Sequence, residues 1–154
     1  MDYPGLNEIK KDLEKRDVND LRNYCIRLAK FKKENKELLG FMLFEADNMN
    51  IYIENVKLET ENSFLKINKH NIYFIKKSIR KILKTVNKHI RFSISKQVEV
   101  DLLIHFCNCI ISHSIPLDHS IQLKNLYNGQ LKKIDQALAL LHPDLQYDFK
   151  RKLL

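Results

Sequence analysis

Tryptophan is absent from this 154-residue chain, and glycine, proline and cysteine occur only three times each. The glycines, Gly5, Gly40 and Gly129, are isolated, which excludes a phosphate-cradling glycine loop of either the dinucleotide or the P-loop kind. No Gly-x-Ser-x-Gly occurs, so there is no nucleophile elbow. So few turn-forming residues argue for helices joined by short links, and no strand alternation of useful length appears. Cys25, Cys107 and Cys109 are odd in number and lack framework spacing, so nothing points to an oxidising compartment. The longest apolar runs, Leu102–Ile104 and Cys109–Ile111, are far too short to span a bilayer. Met1–Gly5 shows no charged-then-apolar leader pattern. A cytoplasmic location is expected.

One further absence organises the chain. Between Asn62 and Val98 there is no Asp or Glu, while ten Lys or Arg residues occur. The formal net charge is +8, distributed as +3 over 1–33, −5 over 34–61, +10 over 62–98 and zero over 99–154. An acidic block thus precedes a basic one. Either the two face each other inside the fold, or the basic face awaits an anionic partner.

Within the basic block Ile72, Ile75, Ile79, Ile82, Val86 and Ile90 step by three and four, the stripe of an amphipathic helix from about Lys69 to Arg91. At 100° per residue, Lys77, Lys81, Lys84 and Lys88 lie about 140–180° from Ile79, and Arg91 about 120°. Like charges four apart cost about 0.2–0.5 kcal/mol per pair. Burying the isoleucine face outweighs that. The ordinary reading of such a line is a solvated face, but solvated faces normally mix both signs.

The remaining helices follow from apolar spacing and caps. Leu6, Ile9 and Leu13 mark a first short helix. Asp17 caps a second to about Lys33, with Val18, Leu21, Cys25, Leu28 and Phe31 as its apolar face. Asn35 is a cap for a third, Lys36 to about Ala46, which is apolar nearly all round and is expected in the middle of the core. A close neighbouring helix would explain Gly40 there. Asp47 or Asn48 opens a fourth to about Asn68, with Tyr52, Val56, Phe64 and Ile67 facing inward and a break allowed at Glu59–Ser63. After the basic helix, Ser93 or Ser95 caps a sixth to about His113, with Val98, Leu102, Phe106 and Ile110 inward. Ser114-Ile115-Pro116 is a break. Leu117–Leu141 reads as one helix questioned at Asn128-Gly129, and Pro143 opens the last. The composition, 44% hydrophobic and 30% charged, suits a folded chain. The expectation is a single all-α domain, 1–154, of about seven to eight helices. It forms a helical bundle or a short irregular α–α superhelix, with the third and fifth helices supplying much of the core.

His105, Cys109 and His113 repeat every fourth residue, and Asp101 extends the line. Each type is a legitimate zinc ligand. Yet positions eight apart are about 12 Å apart along a helix axis, so all three cannot reach one ion. A site needs two of them plus ligands from another helix, for which His89 and His119 are the candidates. A boundary face beside the core, with Cys109 as a small apolar residue, is the simpler account. Glu59, Glu61, Glu34 and Glu37 read as solvated helix residues rather than paired catalytic acids. No residues are therefore assigned to catalysis, a cofactor or a metal.

The functional lead is the basic face, with Lys77, Lys81, Lys84, Lys88 and Arg91 as anion- or nucleic-acid-binding residues. Lysine outnumbers arginine on it and no Asn, Gln or Arg cluster is placed to read base edges, so such binding would be largely non-specific. A membrane role is not expected, since the aliphatic face is needed for the core and no Trp anchors an interface. The first expectation is a non-enzymatic interaction or scaffold protein, with a protein partner or a homo-oligomer. Non-specific nucleic-acid binding is the alternative, and a helical enzyme or metal protein a third class.

Leu28–Ala46 (LAKFKKENKELLGFMLFEA), Lys76–Ser93 (KKSIRKILKTVNKHIRFS) and Leu141–Phe149 (LHPDLQYDF) resemble segments of uncharacterised small all-helical bacterial proteins. The resemblance implies a cytoplasmic bacterial helical protein of unknown activity, and carries over no site residues.

Overall fold

A computed structural model describes residues 2–154. The chain is all-α, with no strand among the described residues. Its helices are α1 (Leu6–Leu13), α2 (Val18–Phe31), α3 (Lys33–Gly40), α4 (Met49–Leu65), α5 (Ile72–Ser93), α6 (Lys96–Ser112), α7 (Ile121–Leu138) and α8 (Pro143–Lys150). A π-helical turn, Phe41–Glu45, and a 3₁₀ turn, Ala46–Asn48, follow α3, and a second 3₁₀ turn, Leu117–His119, precedes α7. The chain divides into two compact units, Met1–Asp47 and Asn48–Leu154.

The first unit is a run of short helices around an α2–α3 pair. Asp17 caps α2 as expected, its carboxylate accepting from the Asp20 amide at 2.9 Å. Asn35 does not cap α3. That helix starts earlier, at Lys33, and the Asn35 amide instead donates to the Leu28 carbonyl at 2.9 Å, tying α3 back to α2. The expected apolar face of α2 is left largely in solvent: Val18, Leu28 and Phe31 are all exposed, Phe31 by 77%. The third helix does not form the middle of the core. Leu38 and Leu39 are half-buried, and Met42, Leu43 and Phe44 are exposed. Nothing approaches the place a Cβ would take on Gly40, so no tight helix crossing explains that glycine.

The core lies in the second unit, and its centre is α6. Val98, Val100, Leu102, Leu103, Ile104, Phe106, Cys107, Cys109 and Ile110 are all buried. A helix apolar around most of its circumference is stable only when surrounded. Here α4, α5, α7 and α8 all pack on α6. The isoleucine stripe of α5 faces inward as expected, with Ile75, Ile79, Ile82 and Val86 buried. Tyr52, Val56, Phe64 and Ile67 are buried too, and α4 runs unbroken through Glu59–Ser63. Phe64 and Phe106 meet edge to face with ring centroids 5.7 Å apart. Contacts between α4 and α6 rise together in number, from Lys57–Asp101 to Glu61–His113, so the two run parallel, with α5 returning between them in sequence.

Caps bound these helices. Asn71 accepts from the Tyr73 amide to open α5, Ser95 from Val98 to open α6, and Ser120 from Leu123 to open α7. Pro143 stands in the first turn of α8. Asn108 of α6 then holds the chain end, its amide donating to the Lys152 carbonyl at 2.6 Å and its oxygen accepting from the Leu154 amide at 3.0 Å. No helix among the described residues is long and apolar enough to cross a membrane.

Candidate functional site

Two polar features stand out in the second unit: the outer face of α5 and a seam between α4 and α6. On α5, Lys77, Arg80, Lys81, Lys84 and Arg91 are exposed, while Lys88 is half-buried. The positions 77, 81, 84, 88 and 91 step by four and three, so they form one line about 21 Å long. Among the described residues no carboxylate pairs with Lys77, Arg80, Lys81, Lys84 or Arg91. The acids of α4 are engaged elsewhere. Glu54 pairs with Lys57 at 2.9 Å, Glu59 stands 3.7 Å from His89, and Glu61 faces α6. A groove of about 350 Å³ beside the line is lined by Tyr73, Lys76, Lys77, Arg80 and Gln122. Tyr73 is exposed there, and the Lys76 ammonium donates to Gln122 at 2.8 Å. On the other side Lys81 shares a groove with Glu59 and Lys66, so that flank carries both signs.

The seam joins every fourth residue of α6 to α4. The Lys57 ammonium sits between Glu54 and, at 3.1 Å, Asp101. Burial opposes the Lys57 charge, but the two carboxylates outweigh it and hold the ammonium above its ordinary pKa. One turn on, His105 Nε2 donates to the Lys57 carbonyl at 3.2 Å. The next turn brings Glu61 against Cys109 and His113. The Cys109 thiol donates to Glu61 Oε2 at 3.0 Å, and His113 Nε2 donates to Oε1 at 2.7 Å. His105 Nε2 lies 3.4 Å from the Cys109 sulfur and 3.9 Å from Glu61 Oε2. The Phe64 ring stacks on His113 with centroids 5.4 Å apart, so Glu61 and Phe64 together hold this imidazole, while Lys69 donates to the His113 backbone carbonyl at 2.7 Å.

The chemistry of these groups follows from their neighbours. The Cys109 thiol and the His113 imidazole, both donating to Glu61, hold its carboxyl below the usual range. Burial pushes the His105 imidazole below its ordinary value, partly opposed by the Lys57 carbonyl and the Glu61 charge. Burial also pushes the Cys109 thiol up, and the adjacent carboxylate adds to that. Cys107, buried on another side of α6, is pushed up to about 12 by burial alone. Neither thiol is therefore a free nucleophile at neutral pH.

No known protein family, curated protein or solved structure matches this chain.

The structure corrects the sequence reading of this face in two places. Glu61 is not a solvated helix residue, since both its oxygens are bonded to α6. The second helix that meets the His105–Cys109–His113 line is α4, not the one bearing His89 or the turn bearing His119. His89 bonds to Tyr52 at 2.6 Å, and His119 is exposed in its 3₁₀ turn. As helix rise requires, His105 and His113 do not converge, and Glu61 faces each with a different oxygen.

Proposed function

We propose that this chain is a non-enzymatic cytoplasmic interaction protein whose α5 face binds the phosphate backbone of nucleic acid without reading its sequence. The observation that carries the reading is the line Lys77, Lys81, Lys84, Arg91, exposed and unpaired with acid, on a helix that has no carboxylate of its own. Lys88 continues the line and Arg80 flanks it. Lysine supplies point charge without bidentate geometry, which suits backbone contact. The exposed Tyr73 ring beside Lys76, Lys77 and Arg80 adds a stacking surface for an unpaired base. A single strand is thus a better ligand than a duplex.

Fluorescence anisotropy against labelled single-stranded RNA and duplex DNA, over a range of salt concentrations, tests this. Each phosphate neutralised contributes about −0.7 (single strand) to −0.9 (duplex) to the slope of log K against log salt. The variant Lys77→Gln/Lys81→Gln/Lys84→Gln, checked for helicity, is expected to lower the slope by about two to three units. Tyr73→Ala is expected to weaken single-strand binding by about 1–3 kcal/mol and leave the slope unchanged. Absence of binding at low salt overturns the reading.

A protein partner is favoured by a different observation. In the first unit a groove of about 510 Å³ is lined by apolar Ile26, Ala29 and Leu39 together with Lys30, Lys32, Lys33 and Lys36. That chemistry suits an acidic amphipathic segment.

A further inference from the structure

We propose that Glu61, His105 and Cys109 form a binding site for a zinc-like divalent transition-metal ion, completed by an exchangeable ligand and steadied by His113. Glu61 Oε2, His105 Nε2 and Cys109 Sγ all lie within 4.8 Å of one another. The three separations are 3.0 Å (S to O), 3.4 Å (S to N) and 3.9 Å (N to O). A tetrahedral ion with bonds of about 2.0–2.3 Å holds its ligand atoms about 3.3–3.8 Å apart. The triangle therefore has nearly the dimensions of one face of that tetrahedron before any ion enters. To complete it, the sulfur–oxygen edge opens and the nitrogen–oxygen edge closes, each by about half an ångström.

The donor set selects the metal class. One carboxylate oxygen, one imidazole nitrogen and one sulfur suit a borderline ion such as Zn²⁺ or Co²⁺, whereas Mg²⁺ and Ca²⁺ require oxygen throughout. The charges also balance. Binding forms a metal–sulfur bond and breaks the Cys109 S–H bond, and the proton leaves to solvent. His105 gives up its Nε2–H bond to the Lys57 carbonyl and binds through that nitrogen in its neutral form, the ring proton moving to Nδ1 by exchange with solvent. The Glu61 carboxylate and the Cys109 thiolate then neutralise the dication. His113 does not reach the ion. It donates to Glu61 Oε1, fixing the carboxylate so that Oε2 is presented, as the groups around a ligating carboxylate commonly do. Cys109 is 2% exposed and anchors the inner side, while Glu61 is part-exposed and leaves an entry path and a fourth position for water or another donor.

The arrangement differs from an ordinary helix–helix polar contact in one respect. A salt bridge or capping contact needs two partners, yet here a thiol, an imidazole and a carboxylate converge from two helices, and a second imidazole holds the far carboxylate oxygen. The Lys57–Asp101 pair two turns earlier on α6 shows what the same seam looks like where it is simply an ion pair.

Cobalt titration of the reduced, full-length protein is the test, because the sulfur–cobalt charge-transfer band reports the thiolate directly. One Co²⁺ per chain is expected, with that band and the visible absorption of tetrahedral cobalt, displaced by Zn²⁺ but not by excess Mg²⁺ or Ca²⁺. Cys25→Ser, which alters an exposed thiol in the first unit, should leave the spectrum unchanged. Cys109→Ser should abolish the charge-transfer band. His105→Gln and Glu61→Gln, which disturb the core less, should each weaken binding tenfold or more. His113→Asn should keep the band but weaken binding about 10–100-fold. No band in the folded, reduced protein overturns the site. So does a band that survives in folded Cys109→Ser or in folded His105→Gln and Glu61→Gln at undiminished affinity.

Discussion

Ile94 ends α5 in the left-handed region, at φ 51°, with 92% of its surface exposed. The left-handed conformation costs an L-residue about 1–2 kcal/mol, and a β-branched side chain with nothing to pack against recovers none of it. Helices commonly end at a glycine in this conformation. Ile94→Gly is therefore expected to stabilise the protein by about 0.5–1 kcal/mol, glycine's larger unfolded-state freedom offsetting part of the relief. Gly129 is the opposite case. It lies inside α7, and a Cβ there would meet no atom within 4 Å. Gly129→Ala should stabilise by about 0.5–1 kcal/mol. Urea midpoints of the two variants check both signs. Neither position is readable from the sequence. Asn128-Gly129 carries a turn signal, but Leu123, Ile134 and Leu138 on either side of it bury against one core and keep the helix continuous. At Ile94 no glycine announces the left-handed turn, and only the need to start α6 at the Ser95 cap imposes it.

Along α6 the seam couples stability to acid. In metal-free protein, the buried His105 imidazole takes up its proton less readily than in the unfolded chain. Its neutral form is thus favoured by folding, and stability falls as pH drops through the ordinary histidine value of 6.5. Glu61 shifts the same way for a different reason: its carboxylate is stabilised by folding. That contribution is complete above the ordinary carboxyl value of 4.5 and is lost as pH falls through the lower folded value. Thermal unfolding of chelator-treated protein from pH 8 to pH 3 should show both losses. His105→Gln flattens the upper one, and Glu61→Gln flattens the lower while reducing stability at neutral pH. The spacing of Asp101, His105, Cys109 and His113 was open to inspection in the sequence. Glu61 was not, because its partners lie 44 to 52 positions away on a helix whose pairing no local pattern declares. Lys57 and Glu61 are themselves four apart, and that matching step was the one available hint. The misplaced core has a similar cause. Leu38–Phe44 is as apolar as Leu102–Ile110, but apolar density records only a need for burial. The neighbours that meet the need belong to α6.

Taken together, the two units differ in what holds them. Among the described residues of Met1–Asp47 only Phe41 is buried, and the longest helix has 14 residues. Helices of that length are marginal in water without packing. The unit Asn48–Leu154 holds the rest of the buried apolar side chains. A fragment spanning 48–154 is expected to unfold cooperatively with native-like helicity, whereas 2–47 alone should be weakly helical and melt without a transition. Circular dichroism of the two fragments decides this. The same division shapes the electrostatics. The acids of α4 are turned towards Lys57, His89 and α6, and none of them pairs with Lys77, Lys81, Lys84 or Arg91 on the α5 face.

The α4–α6 seam also acts as a key cut for one lock position. Apolar side chains are nearly interchangeable, so two greasy parallel helices can slide past each other by a turn, about 5.4 Å, and still bury similar area. The seam forbids it. Sliding α4 one way sets the Glu61 carboxylate against that of Asp101. Sliding it the other way sets the Lys57 ammonium beside the Cys109 thiol, beyond the carboxylate it now pairs with. Only one alignment satisfies Lys57, His105, Cys109 and His113 together. Four polar side chains thus select a single register for a core that its hydrophobic residues alone would leave degenerate.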